Sequence, residues 1–216
     1  YRLYRRRNMS LGRPTAVDRV RSFLERYAVH LAGGLTLVCA AAGNFPAFAS
    51  ELSPNGFGSV VDIDLKGSFN SCRAAYEHFS SSGASIVAIS APQSQQPMPM
   101  QSHAGAAKAG VDNLVRNLAL EWAEDGIRAN AIQPGPVEGT EGLRRLLPDE
   151  ETRDRLADAL PSGRFVQAEE IGSLCLYLSS PLAESITGAV MPVDGGQMTV
   201  GSGVLVEVLK ESADTE

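Results

Sequence analysis

Hydrophobic and polar positions follow two periods along this chain, and the switches between them outline its elements. From Thr15 onward, Val17, Val20, Leu24 and Tyr27 recur at three and four residues with Asp18 in the first turn, which predicts an amphipathic helix. Residues 35–40 then form an almost unbroken apolar run, as expected of a strand covered on both faces. A long helix is predicted over 55–79, a strand over 85–90, and after it a loop rich in Gln, Pro and Met. Helical spacing returns over 103–125, with Val111, Leu114, Leu118 and Trp122 in one stripe. The strand predicted over 128–133 ends at Pro134-Gly135-Pro136. Residues 141–160 read as a mobile, charged helical excursion of the kind that covers ligands, and 168–178 as a core helix. The last strand, 189–193, stops at Asp194-Gly195-Gly196, and the polar tail beyond it is expected to be loosely held. Helical and extended patterns alternate with no repeat or low-complexity linker, so residues 1–216 read as one α/β domain built on a parallel sheet.

Composition narrows the class. With 216 residues, 44% hydrophobic and 20% charged, the chain can bury a sizeable core. Its longest apolar runs, 35–42 and 189–193, fall well short of the roughly 20 residues that cross a bilayer, so no membrane span is expected. A net charge of -6 argues against general nucleic-acid binding, which needs a surplus of Lys and Arg to neutralise phosphates. The local basic cluster Arg2, Arg5, Arg6 and Arg7 reads as a solvated arm, with contact to a ligand phosphate as the alternative. Cys39, Cys72 and Cys175 are odd in number, widely spaced and set in apolar segments, which predicts reduced core residues in an intracellular protein. His30, His78 and His103 have no metal-ligand spacing with Cys or carboxylates, and no metal is expected.

Several short segments then follow in a fixed order: Ala41-Ala42-Gly43-Asn44-Phe45, Asp64-Leu65-Lys66-Gly67-Ser68-Phe69, Lys108-Ala109-Gly110-Val111, Pro134-Gly135-Pro136, and Thr187-Gly188 ahead of Asp194-Gly195-Gly196. Each is weak alone. Together, over roughly residues 15–198, they resemble the short-chain dehydrogenase/reductase family, which implies a Rossmann-like doubly wound parallel sheet and a nicotinamide dinucleotide. A finer likeness is carried by Ala41 to Phe45, by Asp62-Ile63-Asp64, by His103-Ala104-Gly105 ahead of Ala107-Lys108, and by the block Gly139-Thr140-Glu141-Gly142-Leu143-Arg144-Arg145-Leu146. These segments are similar to the peroxisomal-type 2,4-dienoyl-CoA reductases.

The sequence departs from the general family in two ways. The tyrosine that supplies a proton to a carbonyl oxygen, four residues before the lysine, is replaced by Ala104, and the serine that polarises the same oxygen by Ala91. No tyrosine occurs between Tyr76 and Tyr177, so carbonyl chemistry is disfavoured, in agreement with the dienoyl-CoA reductases. The family's opening βαβ unit is also missing from the chain, which contains no G-x-x-x-G-x-G turn for a pyrophosphate, so the domain reads as truncated at its N-terminus.

The resemblance implies roles residue by residue. Lys108 hydrogen-bonds the nicotinamide ribose, the alternative being a lysine that snorkels from its helix. Asp64 acts with Asp194 by holding a water that delivers a proton; alternatively Asp64 is a structural acceptor and Asp194 a turn residue before two glycines. His103 joins this network or orients the substrate thioester, or is simply a satisfied polar residue at a helix start. Phe45, Ser53, Pro54 and Asn55 meet the acyl-CoA, and Arg145 contacts its CoA moiety. Pro134, Gly135, Pro136, Val137, Glu138, Gly139 and Thr140 face the nicotinamide side of NADPH. The implied reaction is NADPH-dependent reduction of a trans-2,4-dienoyl-CoA to a 3-enoyl-CoA in fatty acid β-oxidation. The alternatives are a non-catalytic acyl-CoA-binding or scaffold protein and another enoyl-thioester reductase. A peroxisomal homotetramer is expected by resemblance, although Asp214-Thr215-Glu216 is not a peroxisomal targeting tripeptide.

Overall fold

Strands covered on both sides need apolar residues at every position, and the runs LTLVC, ASIVAI and IRANAIQP largely supply them. The computed structural model describes residues 35–79, 83–147, 149–201 and 203. The predicted Thr15 helix, the arginine cluster, His30 and most of the tail lie outside these residues. Strands β1 (Leu35–Cys39), β2 (Ala84–Ile89), β3 (Ile127–Pro134) and β4 (Val190–Val193) pair in parallel in the order β1-β2-β3-β4. Leu37 stands beside Ile86, Ile86 beside Ala129, and Ile132 beside Met191.

Alternate side chains face opposite layers. On one face Ile86, Ala88 and Ala129 pack with Cys72, Val111 and Leu118. These come from a continuous helix made of α1 (Pro54–Val61), a π-helical turn (Asp62–Lys66) and α2 (Gly67–Tyr76), and from α3 (Ser102–Glu121). On the other face Val87 and Ile132 pack with Ile171, Cys175 and Leu178 of α6 (Ala168–Ser179). Helices on both faces of a parallel sheet make the Rossmann-like, doubly wound architecture expected from the sequence. All three cysteines are free and buried. No helix among the described residues is long and apolar enough to cross a membrane.

The excursion predicted over 141–160 is two helices, α4 (Glu141–Leu146) and α5 (Glu150–Ala159). Thr140 caps the first by accepting Leu143 N–H, and Asp149 caps the second by accepting Thr152 N–H at 2.6 Å. Leu143, Leu147, Leu156, Leu160 and Phe165 close a small core of their own beneath them. A short helix, α7 (Gln197–Val200), follows β4.

Helix α6 begins with a capping box in which Glu170 accepts Gln167 N–H at 2.7 Å while taking two 2.9 Å bonds from the Arg164 guanidinium. Arg164 is the main cause that holds the Glu170 carboxyl down at about 2, with the Gln167 N–H adding to it. Because that value lies below the unfolded one of about 4.3, the pair stabilises the fold above that pH and the contribution is lost as pH falls toward 2. Both side chains are about half exposed, so solvent screens the effect and it is small. Arg164→Ala is expected to show a shallower loss of urea midpoint between pH ~5 and ~2 than the parent protein. Equal slopes would remove this pair from the acid response.

Candidate active site

Parallel strands leave their C-terminal ends open, and connections that diverge there form a crevice. Here a cavity of about 230 Å³ opens at that edge. Asn44 and Phe45, on the loop after β1, form one wall, and Ala91 and Gln93, from the loop after β2, form another. Pro134, the last residue of β3, and Gly135, Pro136 and Val137 beyond it line the floor, and Thr140, Arg145 and Leu146 bring in the start and end of α4.

Gly135 packs against the backbone of the turn after β4. A Cβ there would lie 2.7 Å from the Cα and 2.8 Å from the carbonyl oxygen of Asp194, both backbone atoms that cannot step aside. Asp194 itself is buried, and its carboxylate accepts Gly196 N–H at 2.9 Å and Met198 N–H at 2.7 Å, which fixes the turn into α7.

Behind the Asn44 wall lies a buried ion pair. Asp64 is 1% exposed, and its carboxylate accepts Gly43 N–H at 2.6 Å and meets Lys108 Nζ at 3.3 Å. Lys108 also donates to the carbonyl of Ile89 at 2.9 Å, so its ammonium bridges the ends of β1 and β2 through backbone and carboxylate. Asp64 lies within the π-helical turn, which places one extra residue in the helix and re-aims the side chains around it. The helix comes so close to the β1 end that a Cβ on Gly43 would stand 2.9 Å from Ile63 Cδ1.

His103 is fully buried at the start of α3 with its ring 4.7 Å from that of Phe45. Neither ring nitrogen has a hydrogen-bond partner among the described residues. Ala104 is buried against Val60 and Ala107, and Ala91 lines the cavity, so no side-chain hydroxyl stands at either place.

The structure thus joins Phe45, Pro134, Gly135, Pro136, Val137, Thr140 and Arg145 around one cavity, with Asp64 and Lys108 paired behind it. Asp64 and Asp194 have no hydrogen-bond partner in common among the described residues. Ser53, Pro54 and Asn55 stand at the start of α1, where Ser53 accepts Gly56 N–H, and lie outside the cavity lining. Glu138 and Gly139 also lie outside it: Glu138 N–H bonds to Val166 and the Gly139 carbonyl accepts Arg144. Arg145 donates from Nε to Glu141 at 3.1 Å, beside Arg144, and the two guanidinium groups hold the Glu141 carboxyl below its ordinary value.

Sequence reasoning gave no role to two cavity residues, Asn44 and Gln101, whose side chains meet at 2.7 Å. It also missed a buried brace in which Gln133 donates to the Ala91 carbonyl and to Ser94 Oγ, while Ser94 donates to Asp112 at 2.6 Å. The brace fixes the loop that forms the second wall. Asn44 stands within the Ala41 to Phe45 segment, and Gln101 two residues before His103, so the signal was position within a motif rather than titratable chemistry.

The family model described as Enoyl-(Acyl carrier protein) reductase matches residues 15–198. The chain belongs to the short-chain dehydrogenase/reductase family. Among its relatives is the (3E)-enoyl-CoA-producing peroxisomal 2,4-dienoyl-CoA reductase of Saccharomyces cerevisiae, 43% identical over 166 residues that cover 77% of this chain and 56% of the yeast protein. The peroxisomal 2,4-dienoyl-CoA reductase of Pongo abelii is 46% identical over 161 residues, 74% of this chain and 55% of that protein. The chain therefore spans a little over half the length of these curated relatives. In structure it is similar to a gluconate 5-dehydrogenase from Burkholderia cenocepacia in complex with NADP and tartrate, with a TM-score of 0.71 and 27% identity over 84% of this chain and 71% of that one.

Proposed function

We propose that the working protein reduces 2,4-dienoyl-CoA to 3-enoyl-CoA with NADPH, as one short-chain dehydrogenase/reductase domain in a peroxisomal homotetramer. The observation that carries this reading is that residues given to the nicotinamide by resemblance (Pro134, Gly135, Pro136, Thr140) and residues given to the acyl-CoA (Phe45, Arg145) line the same cavity. Hydride transfer requires the two ligands to touch, and a shared crevice at the strand ends brings them together. The names of the relatives support the substrate class and the compartment, and the NADP complex of the related gluconate dehydrogenase supports the cofactor.

The residues present fit the nicotinamide half of that cofactor. The Pro134, Gly135, Pro136 and Val137 segment lines the cavity at the strand ends, and the Lys108 ammonium, held at the end of β2 by the Ile89 carbonyl, offers a ribose donor. NADPH, when bound, supplies the hydride that the δ carbon of the diene receives. Phe45 packs along the conjugated chain, and Arg145 attracts the phosphates of CoA once they displace Glu141. Asp64, held by Gly43 N–H and Lys108, orients a water that passes a proton to the α carbon and takes one back from solvent, with Asp194 and its turn closing the far side. His103 supports Phe45 from behind. With alanine at positions 91 and 104, no hydroxyl there serves a ketone oxygen, which turns the site away from carbonyl reduction.

The test is anaerobic NADPH oxidation by the full-length protein with a 2,4-dienoyl-CoA, a 2-enoyl-CoA and a 3-ketoacyl-CoA in parallel. Turnover of the diene alone is expected. Preference for the 2-enoyl-CoA would point to a different enoyl-thioester reductase, and absence of both turnover and NADPH binding to an acyl-CoA-binding protein without catalysis.

A further inference from the structure

The Asn44–Gln101 contact has features that a plain surface hydrogen bond lacks. Asn44 is far less buried at the cavity wall than Gln101, which is 6% exposed, so a freer amide is held by a fixed one. Gln101 occupies the N-cap position of α3, yet its side chain caps nothing there. It reaches instead to Asn44, whose Nδ2 donates to Gln101 Oε1 at 2.7 Å. The residue before it, Met100, adopts a left-handed φ of 59°, uncommon for a side chain of this kind and a conformation that clusters at functional sites. Its carbonyl accepts Ala47 N–H at 3.1 Å. The two loops are therefore tied by backbone and by side chain around Asn44 and Phe45.

A carboxamide is planar and carries two hydrogens on its nitrogen. With Nδ2 donating one hydrogen to Gln101 Oε1, the direction of the other is set. Two other polar groups of the cavity wall are engaged: the Thr140 hydroxyl donates to the Val137 carbonyl, and Arg145 Nε to Glu141. As hydride adds at the δ carbon, charge develops on the thioester oxygen, and that oxygen needs a preorganised donor in a site whose Ala91 offers none.

We propose that Gln101 is a positioning residue for the reaction: it accepts one amide hydrogen of Asn44 and so directs the other at the thioester oxygen of the substrate. The inference rests on the reductase reading above. It is tested by a double-mutant cycle in the full-length protein, with kcat and KM for a 2,4-dienoyl-CoA, the Kd for NADPH and Tm measured for each variant. Asn44→Ala is expected to lower kcat about 100-fold, in the range seen for a single oxyanion donor, and Gln101→Met about tenfold with little change in KM. Because Gln101 acts through Asn44, adding Gln101→Met to Asn44→Ala should lower kcat no further. Gln101→Glu keeps the acceptor and should keep kcat within a factor of about three. If Gln101→Met unfolds the protein, Gln101→Ala takes its place in the cycle.

Full multiplicativity of the two kcat losses, or a loss in Gln101→Glu as large as in Gln101→Met, overturns the role of Gln101 while the reductase reading stands. A parent protein that binds NADPH but leaves the diene untouched overturns both.

Discussion

Asp64→Asn is expected to lower diene-dependent NADPH oxidation by about 100- to 10,000-fold, the usual worth of a positioned proton donor or acceptor. The substitution is nearly isosteric, and the amide oxygen can still accept the Gly43 N–H that the carboxylate takes at 2.6 Å. What it removes is the negative charge facing Lys108 and the capacity to hold and pass a proton. Steady-state kinetics with the diene and NADPH titrations decide the matter. If the Asp64→Asn protein kept full kcat and normal substrate binding, Asp64 would be only a structural acceptor.

Lys108→Met should cost stability as well as the ribose contact. Asp64 and Lys108 are 1% and 7% exposed at 3.3 Å, so removing the cation strands a buried carboxylate, at a cost of about 3–5 kcal/mol. Adding Asp64→Asn to the same protein removes the stranded charge, and urea unfolding should show part of the lost stability restored. Strictly additive losses, or a Lys108→Met change below about 1 kcal/mol, would mean that water reaches the pair and that its burial carries no energetic weight.

Much of the fold could be read from periodicity because the core is ordinary. The strand predicted over 128–133 is Ile127–Pro134, and the stripe Val111, Leu114, Leu118, Trp122 faces the sheet. The helix predicted over 55–79 was legible as a helix but not as α–π–α ending at Tyr76, since a π-helical turn changes the hydrogen-bond ladder without changing residue types. That turn carries Asp64, so the feature the sequence hid is the one that shapes the ion pair. The break between α4 and α5 has a signal in Pro148-Asp149, a helix stop followed by a cap residue, which the dense charge on either side masks as one excursion. The Asn44–Gln101 contact joins residues 57 positions apart, and no local pattern announces such a pair.

The cavity lies between two separately packed bodies. Its floor belongs to the ends of the sheet, while Leu143, Leu146 and Leu156 on its other side belong to the small core under α4 and α5. Anything that fills it adds apolar contacts to both, and so occupancy and the folding of α4 and α5 are thermodynamically linked. Ligand at 100 times its Kd contributes about 2.7 kcal/mol against any opening that destroys the site. The smaller core thereby borrows part of its cohesion from whatever is bound beside it.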